Sequence, residues 1–211
     1  MNTARKIATF LLKTKAVKLS PEKPFKWSSG WNSPIYCDNR ITLSDVEART
    51  FIKKALAKAI KKEFPDATLI AGVATAGIAQ GALVADYMNL PFAYVRPKPK
   101  EHGMGNQIEG KIEKGQKVVV LEDLISTGGS SIKAADALIE QGIEVVGMIA
   151  IFTYGFKTAD ENFAAKNLKL VTLSNYTYLI DEALKQDYVK PSDVESLKKW
   201  RRNPAKWGVK Y

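Results

Sequence analysis

The chain has 211 residues, enough for one core with an appended cap, and its 45% hydrophobic and 26% charged composition is that of a soluble globular protein. No apolar run nears the roughly 20 residues that cross a bilayer; the single cysteine, Cys37, excludes an internal disulfide, and the single histidine, His102, excludes a site built from Cys and His clusters. The formal charge, 32 basic minus 22 acidic residues, is +10, which favours anionic partners.

Among such partners a small, highly phosphorylated molecule fits better than nucleic acid. The basic residues are scattered and no aromatics are interleaved with them as in a base-stacking platform. Any metal here would be a hard cation such as Mg²⁺, held by carboxylates and by the substrate's own oxygens. The lone cysteine suits a reducing, cytoplasmic setting, and Cys37 itself reads as a small half-buried hydrophobe.

In chain order, Ile7, Phe10, Leu11 and Thr14 recur at helical spacing and predict an amphipathic helix over 3–14. The short apolar run 7–12 is the inner face of that helix and not a signal peptide. Short strands and turns follow. The stretch from Phe25 to Arg40 combines aromatic rings (Trp27, Trp31, Tyr36), hydroxyls, Lys26 and Arg40. Such a set can surround a flat anionic heterocycle, or form a hairpin whose rings cover the core.

Ser44-Asp45-Val46-Glu47 is a capping box and predicts a helix over 44–63, ended by Pro65. A buried strand is expected over 68–72, and Gly72 to Gly77 leads from it into a helix ending near Met88. The two glycines permit close approach of backbone to a ligand, or tight helix–sheet packing. Another strand covers 92–95. Residues 96–110 then form a long polar, glycine-rich loop carrying Arg96, Lys98, Lys100 and His102, suited to a lid that opens and closes.

The central string is Val118 to Ser130. Residues 118–121 read as a buried strand, Glu122 and Asp123 follow at its end, and a Ser126-Thr127-Gly128-Gly129-Ser130 turn enters a helix over 131–141 that Gly142 closes. In an open parallel sheet, ligands sit beyond the carboxyl ends of the strands, and a glycine-rich turn entering a helix offers free N–H groups to an anion. Neither the P-loop nor the dinucleotide-binding glycine pattern is present. A strand over 144–152, a strand over 169–173, a helix over 177–185 and a second capping box at Ser192-Asp193-Val194-Glu195 complete the chain. The last of these starts a helix reaching about Trp200, and the basic tail beyond it packs tryptophans on the body. Strands alternating with helices imply an α/β fold, a parallel open sheet flanked by helices.

The 118–130 string resembles the ribose-phosphate and diphosphate motif of type I phosphoribosyltransferases. Together with the Phe25–Arg40 stretch and the 96–110 loop it is similar to orotate phosphoribosyltransferases over most of the chain. The resemblance implies the type I phosphoribosyltransferase fold in a single domain over 1–211, with an N-terminal hood at about 1–43 and an α/β core at about 65–175. It implies transfer of a phosphoribosyl group from 5-phosphoribosyl 1-diphosphate to orotate in pyrimidine biosynthesis, with Lys100, His102 and Asp123 catalytic. Arg96, Lys100, His102, Glu122, Asp123, Leu124, Ile125, Ser126, Thr127, Gly128, Gly129 and Ser130 would bind the sugar diphosphate. Orotate would meet Ser126, Lys26, Tyr36, Arg40 and Tyr154. The family also implies Mg²⁺ held mainly by substrate oxygens without direct protein ligation, and a homodimer sharing the lid. Neither nucleic acid nor membrane is an expected partner. Two alternatives stand beside this: a phosphoribosyltransferase for another base, and a regulator of the same fold that binds nucleic acid.

Overall fold

The computed structural model describes residues 2–27, 29–99 and 107–208. Its centre is a six-stranded sheet in the order β10-β9-β8-β5-β6-β7, built from β5 (Leu69–Val73), β6 (Phe92–Val95), β7 (Ile108–Glu109), β8 (Lys117–Ile125), β9 (Glu144–Thr153) and β10 (Leu170–Asn175). All neighbours pair in parallel except β7, which runs antiparallel to β6 at one edge.

The strands read as continuous apolar runs because both faces of the sheet are covered. Val119, Leu121, Ile149 and Ile151 point to one face and meet α1 (Thr3–Lys13), α2 (Val46–Glu63), α3 (Ala76–Met88), α6 (Tyr176–Lys185) and α7 (Val194–Arg202). Val118, Val120, Met148 and Ala150 point to the other, where Ile132, Leu138 and Phe163 of α4 (Gly129–Glu140) and α5 (Lys157–Ala165) lie over them. No described helix is long and apolar enough to cross a membrane.

Several expectations need correction. β8 does not stop before the acids: it runs on through Glu122 and Asp123 to Ile125, because β9 extends alongside it and the ladder continues with Glu122 opposite Ala150 and Ile125 opposite Thr153. The cap of α2 is Asp45, whose carboxylate accepts the Ala48 N–H at 2.9 Å, while Ser44 belongs to a preceding 3₁₀ turn. At the C-terminus Asp193 accepts the Lys190 N–H at 3.0 Å, so the second capping box forms one turn early, and α7 continues past Trp200 to Arg202. The helix α5 and the short strand β7 were not expected.

The two glycines of the 72–77 segment are explained by packing. A β-carbon at Gly72 would lie 2.7 Å from the Gly77 carbonyl oxygen, and one at Gly77 would lie 2.5 Å from the Leu121 carbonyl oxygen. Helix α3 therefore sits directly on the sheet.

The strand order places the site. From β5 the chain moves outward through β6 to β7, then returns to the other side of β5 and moves outward through β8, β9 and β10. The order reverses between β5 and β8, and a crevice opens at the carboxyl ends there. Over that end lie β1 (Val17–Leu19), β2 (Phe25–Lys26), β3 (Asn32–Ser33) and β4 (Ile35–Cys37), two antiparallel pairs. They are tied to the far end of the chain by Trp200, fully buried, whose ring meets Trp27, Tyr154 and Phe156 edge-on at 5.3–5.5 Å. Trp200→Ala should cost about 3–5 kcal/mol in denaturant unfolding; a loss below 1 kcal/mol would mean that the cluster does not hold the two ends together.

Candidate functional site

Glu122 and Asp123 lie side by side near the end of β8. The Glu122 carboxyl is buried, accepts the Asp123 N–H at Oε1 (3.0 Å) and accepts Ser131 Oγ at Oε2 (3.2 Å). Burial, and then the neighbouring Asp123 charge, push the Glu122 carboxyl up to about 9. Burial also raises Asp123, opposed by its bond with Glu122 and by the positive charge of Arg40. Two adjacent carboxyls in one desolvated place do not both ionise. Near neutral pH the pair therefore holds one proton, on Glu122, and one negative charge, on Asp123.

Asn39 donates from Nδ2 to the Asp123 carbonyl at 2.8 Å. It thus ties the 3₁₀ turn after β4 to the acid pair. Cys37 Sγ sits 3.3 Å from Asn39 Oδ1 and continues the chain of contacts.

After β8, Gly128 takes a left-handed conformation (φ +81°) as N-cap of α4, with no side-chain cap. The first N–H groups of α4, at Gly129 and Ser130, have no side-chain cap and both residues are exposed, so the turn can receive an anion. Asn162 of α5 fixes it from behind by donating to the Thr127 carbonyl at 2.9 Å. A β-carbon at Gly128 would lie 2.6 Å from the Phe163 ring, so the position needs glycine for space as well as for backbone angle.

Two cavities flank the acids. One, of about 610 Å³, lies between the β1–β4 segment and the strand ends; Lys26, Trp27, Trp31, Tyr36, Ser126, Thr127 and Tyr154 are among its walls. The other, of about 240 Å³, lies over the ends of β5 and β6 and includes Arg96, Gln107, Ser130 and Lys133. Arg96 is anchored by its backbone, which exchanges hydrogen bonds with Gln107 at 2.8 and 3.0 Å. Its Nη1 is buried, lies 3.7 Å from Glu109 and has no hydrogen-bond partner among the described residues.

The expected site residues separate accordingly. Lys26, Tyr36, Leu124, Ser126, Thr127 and Tyr154 share the larger cavity, and Arg96 and Ser130 share the smaller. Ile125 lines neither cavity: its side chain is fully buried in the core, and its carbonyl accepts the Tyr154 N–H. Arg40 does not line the larger cavity, because Asp38 holds its guanidinium at 2.7 and 2.9 Å. Lys100 and His102 lie outside the described residues. Sequence reasoning missed Asn39, Ser131 and Asn162, whose roles are tertiary contacts; only the position of Ser131 within the helix after the motif could have hinted at one. Among the described residues no group of three or more His, Cys, Asp or Glu is placed to hold a metal ion.

The raised Glu122 carboxyl has a stability consequence. Below about pH 4.5 it is protonated in both folded and unfolded chains and costs nothing. Between there and about 9 the folded chain keeps a proton that the unfolded chain has lost, so this group's contribution falls as pH rises and levels off above 9. Glu122→Gln removes the titration. The melting temperature of the variant relative to wild type should rise steadily from pH 5 to pH 9, and a pH-independent difference would contradict the protonated pair.

The comparisons with known proteins agree with this geometry. The phosphoribosyl transferase domain model matches residues 43–187. The chain is 60% identical to an orotate phosphoribosyltransferase of Cytophaga hutchinsonii, over 98% of this chain and 99% of that one. It is 54% identical to one of Porphyromonas gingivalis over 96% of this chain and 97% of that one. Among solved structures, orotate phosphoribosyltransferase from Aeropyrum pernix superposes with a TM-score of 0.75 at 29% identity, covering 87% of this chain and 99% of that one. A buried acid pair, an open helix N-terminus and a ring-lined cavity at the switch point of a type I sheet are thus the features of a chain that belongs to the orotate phosphoribosyltransferase family.

Proposed function

We propose that this protein transfers the 5-phosphoribosyl group of 5-phosphoribosyl 1-diphosphate to orotate, giving orotidine 5′-monophosphate and diphosphate. The observation that carries the reading is the larger cavity: its one wall is the ring-rich Lys26–Cys37 segment and its other is the Ser126–Thr127 turn beside the acids. A flat base and the sugar phosphate would therefore meet at one edge.

The bond from C1′ to the diphosphate oxygen breaks as a ring nitrogen of orotate bonds to C1′. Positive charge grows on the ribose and negative charge on the leaving group. The single charge of Asp123 lies beneath the ribose and accepts from its hydroxyls. The open N–H groups of Gly129 and Ser130, with the hydroxyls of Ser126 and Thr127, hold the 5′-phosphate. Arg96 faces the diphosphate from the smaller cavity, and Lys100 and His102, on the resemblance of their loop, close over it. Preformed donors at developing charge are the strongest catalytic term available to such a site. Orotate ionises by itself, so no protein base is required.

Mg²⁺ completes this reading. Carboxylates and phosphate oxygens are the hard donors it takes, and it would neutralise diphosphate charge while held mainly by substrate, with the Asp123 carboxylate close by. A homodimer in which Lys100 of one subunit serves the site of the other, a single 1–211 domain with residues 1–43 as hood, and a reducing cytoplasm belong to the same proposal.

Diphosphate release with orotate, but not with uracil, adenine or hypoxanthine, is the expected result, abolished by a chelator and restored by Mg²⁺. No release with orotate would overturn the proposal, and steep salt-dependent RNA binding without turnover would favour a regulator. Lys100→Ala should lower kcat by about 10²–10³. Mixing it with Asp123→Asn subunits should recover part of the activity if the lid is shared; no recovery would assign each lid to its own site.

A further inference from the structure

The larger cavity has a cation on the hood side, Lys26, but the chain leaving β9 lines it only with Tyr154 and brings no basic residue. Arg40, the other nearby cation, is engaged by Asp38. Tyr154 brings one neutral hydroxyl, its phenol pushed up by burial. The strand-end side of the base cavity therefore lacks a positive charge of its own, although a carboxylate-bearing base needs one wherever its carboxylate is shut away from water.

Helix α7 supplies it. A third cavity, of about 280 Å³, abuts the base cavity, since Trp31 and Thr127 line both, and Arg201 and Arg202 line it as well. Arg201 follows Trp200, the fully buried ring packed against Trp27, Tyr154 and Phe156, so its place is fixed by a core anchor and not by the tail. Its guanidinium lies against the Tyr154–Phe156 turn: a β-carbon at Gly155 would be 3.4 Å from Nη1, and Gly155 is in the left-handed region at φ +69°. Among the described residues Arg201 makes no ion pair, whereas Lys157 beside it is paired with Glu161 at 2.9 Å.

We propose that Arg201, carried from the C-terminal helix to the end of β9, binds the carboxylate of the base substrate and so sets the preference for an acidic pyrimidine. The inference rests on orotate being the base. A planar guanidinium offers a carboxylate two parallel N–H donors, which a lysine does not.

Steady-state kinetics and titration calorimetry on Arg201→Ala test it, beside Lys26→Ala and Arg202→Ala. Arg201→Ala should raise KM and Kd for orotate about 10- to 100-fold, the range for a lost charge-assisted bond, with KM for 5-phosphoribosyl 1-diphosphate as in wild type. The neutral carboxamide analogue of orotate, used as a competitive inhibitor, should bind wild type and variant alike, and Arg201→Lys should recover part of the loss. Unchanged orotate binding, an equal loss for the carboxamide, or the same pattern from Lys26→Ala alone would overturn the assignment. If Arg201→Ala does not fold, Arg201→Gln keeps the stem and enters the same assays. Wild type that binds no orotate would instead remove the base assignment itself, before Arg201 is in question.

Discussion

The structure is built around one unfavourable arrangement, two carboxyls buried side by side in the central strand. Leaving both charged would cost several kcal/mol in a desolvated place, so the pair keeps a proton. What makes it tolerable is the set of donors aimed at it: Ser131 from α4 and the Asp123 N–H, each on one oxygen of Glu122. The proton leaves Glu122 as a neutral strut and Asp123 as the charged member of the pair. The parallel ladder supplies the rigidity, since Glu122 and Leu124 are in register with Ala150 and Phe152 of β9.

Around that charge the remaining groups are of opposite sign. Arg40 lowers the Asp123 carboxyl through space although it is held by Asp38, and Arg96, whose buried Nη1 lies 3.7 Å from Glu109 and has no hydrogen-bond partner among the described residues, lines the smaller cavity. The helix N-terminus after Gly128 adds the positive end of the α4 dipole. In the proposed reading these donors would receive the phosphates of the sugar diphosphate, and the one negative group would face the atom that becomes positive. The excess of basic residues in the whole chain, +10, acts in the same direction at long range.

Much of this was legible before any coordinates. The strands of the sheet are apolar runs because they are covered on both faces, and the acids followed by hydroxyls and glycines are too costly a cluster for an ordinary turn. What was not legible depends on partners far away in sequence. Helix α5 presents mainly Ala159 and Phe163 inward, too few apolar residues to stand out, yet it carries Asn162. Strand β7 has two residues and exists because Arg96 and Gln107 pair across the hairpin. The exchange of Ser44 for Asp45 as cap is a choice between adjacent good capping residues, decided by a preceding 3₁₀ turn. That the tail packs tryptophan on the body was legible, but not the partners: in one aromatic cluster Trp200 meets Trp27, just after β2, and Tyr154 and Phe156, just after β9.

That cluster divides the labour within the site. The phosphate side is made locally, by one strand, one turn and one helix, so its geometry follows from a single continuous segment. The ring-rich wall of the larger cavity comes from the Lys26–Cys37 segment, which is joined to α7 through Trp27 and Trp200 on the Tyr154 ring. A substitution there can alter which ring is accepted while Asp123 and the open N–H groups of α4 stay in place. Conversely, among the described residues the Asn39 bond to the Asp123 carbonyl is a direct tie between the turn after β4 and the acid pair. Asn39, hydrogen-bonded to the Asp123 carbonyl, and Leu124, which lines the larger cavity next to Asp123, are where a change in that cavity can bear on the position of the acid.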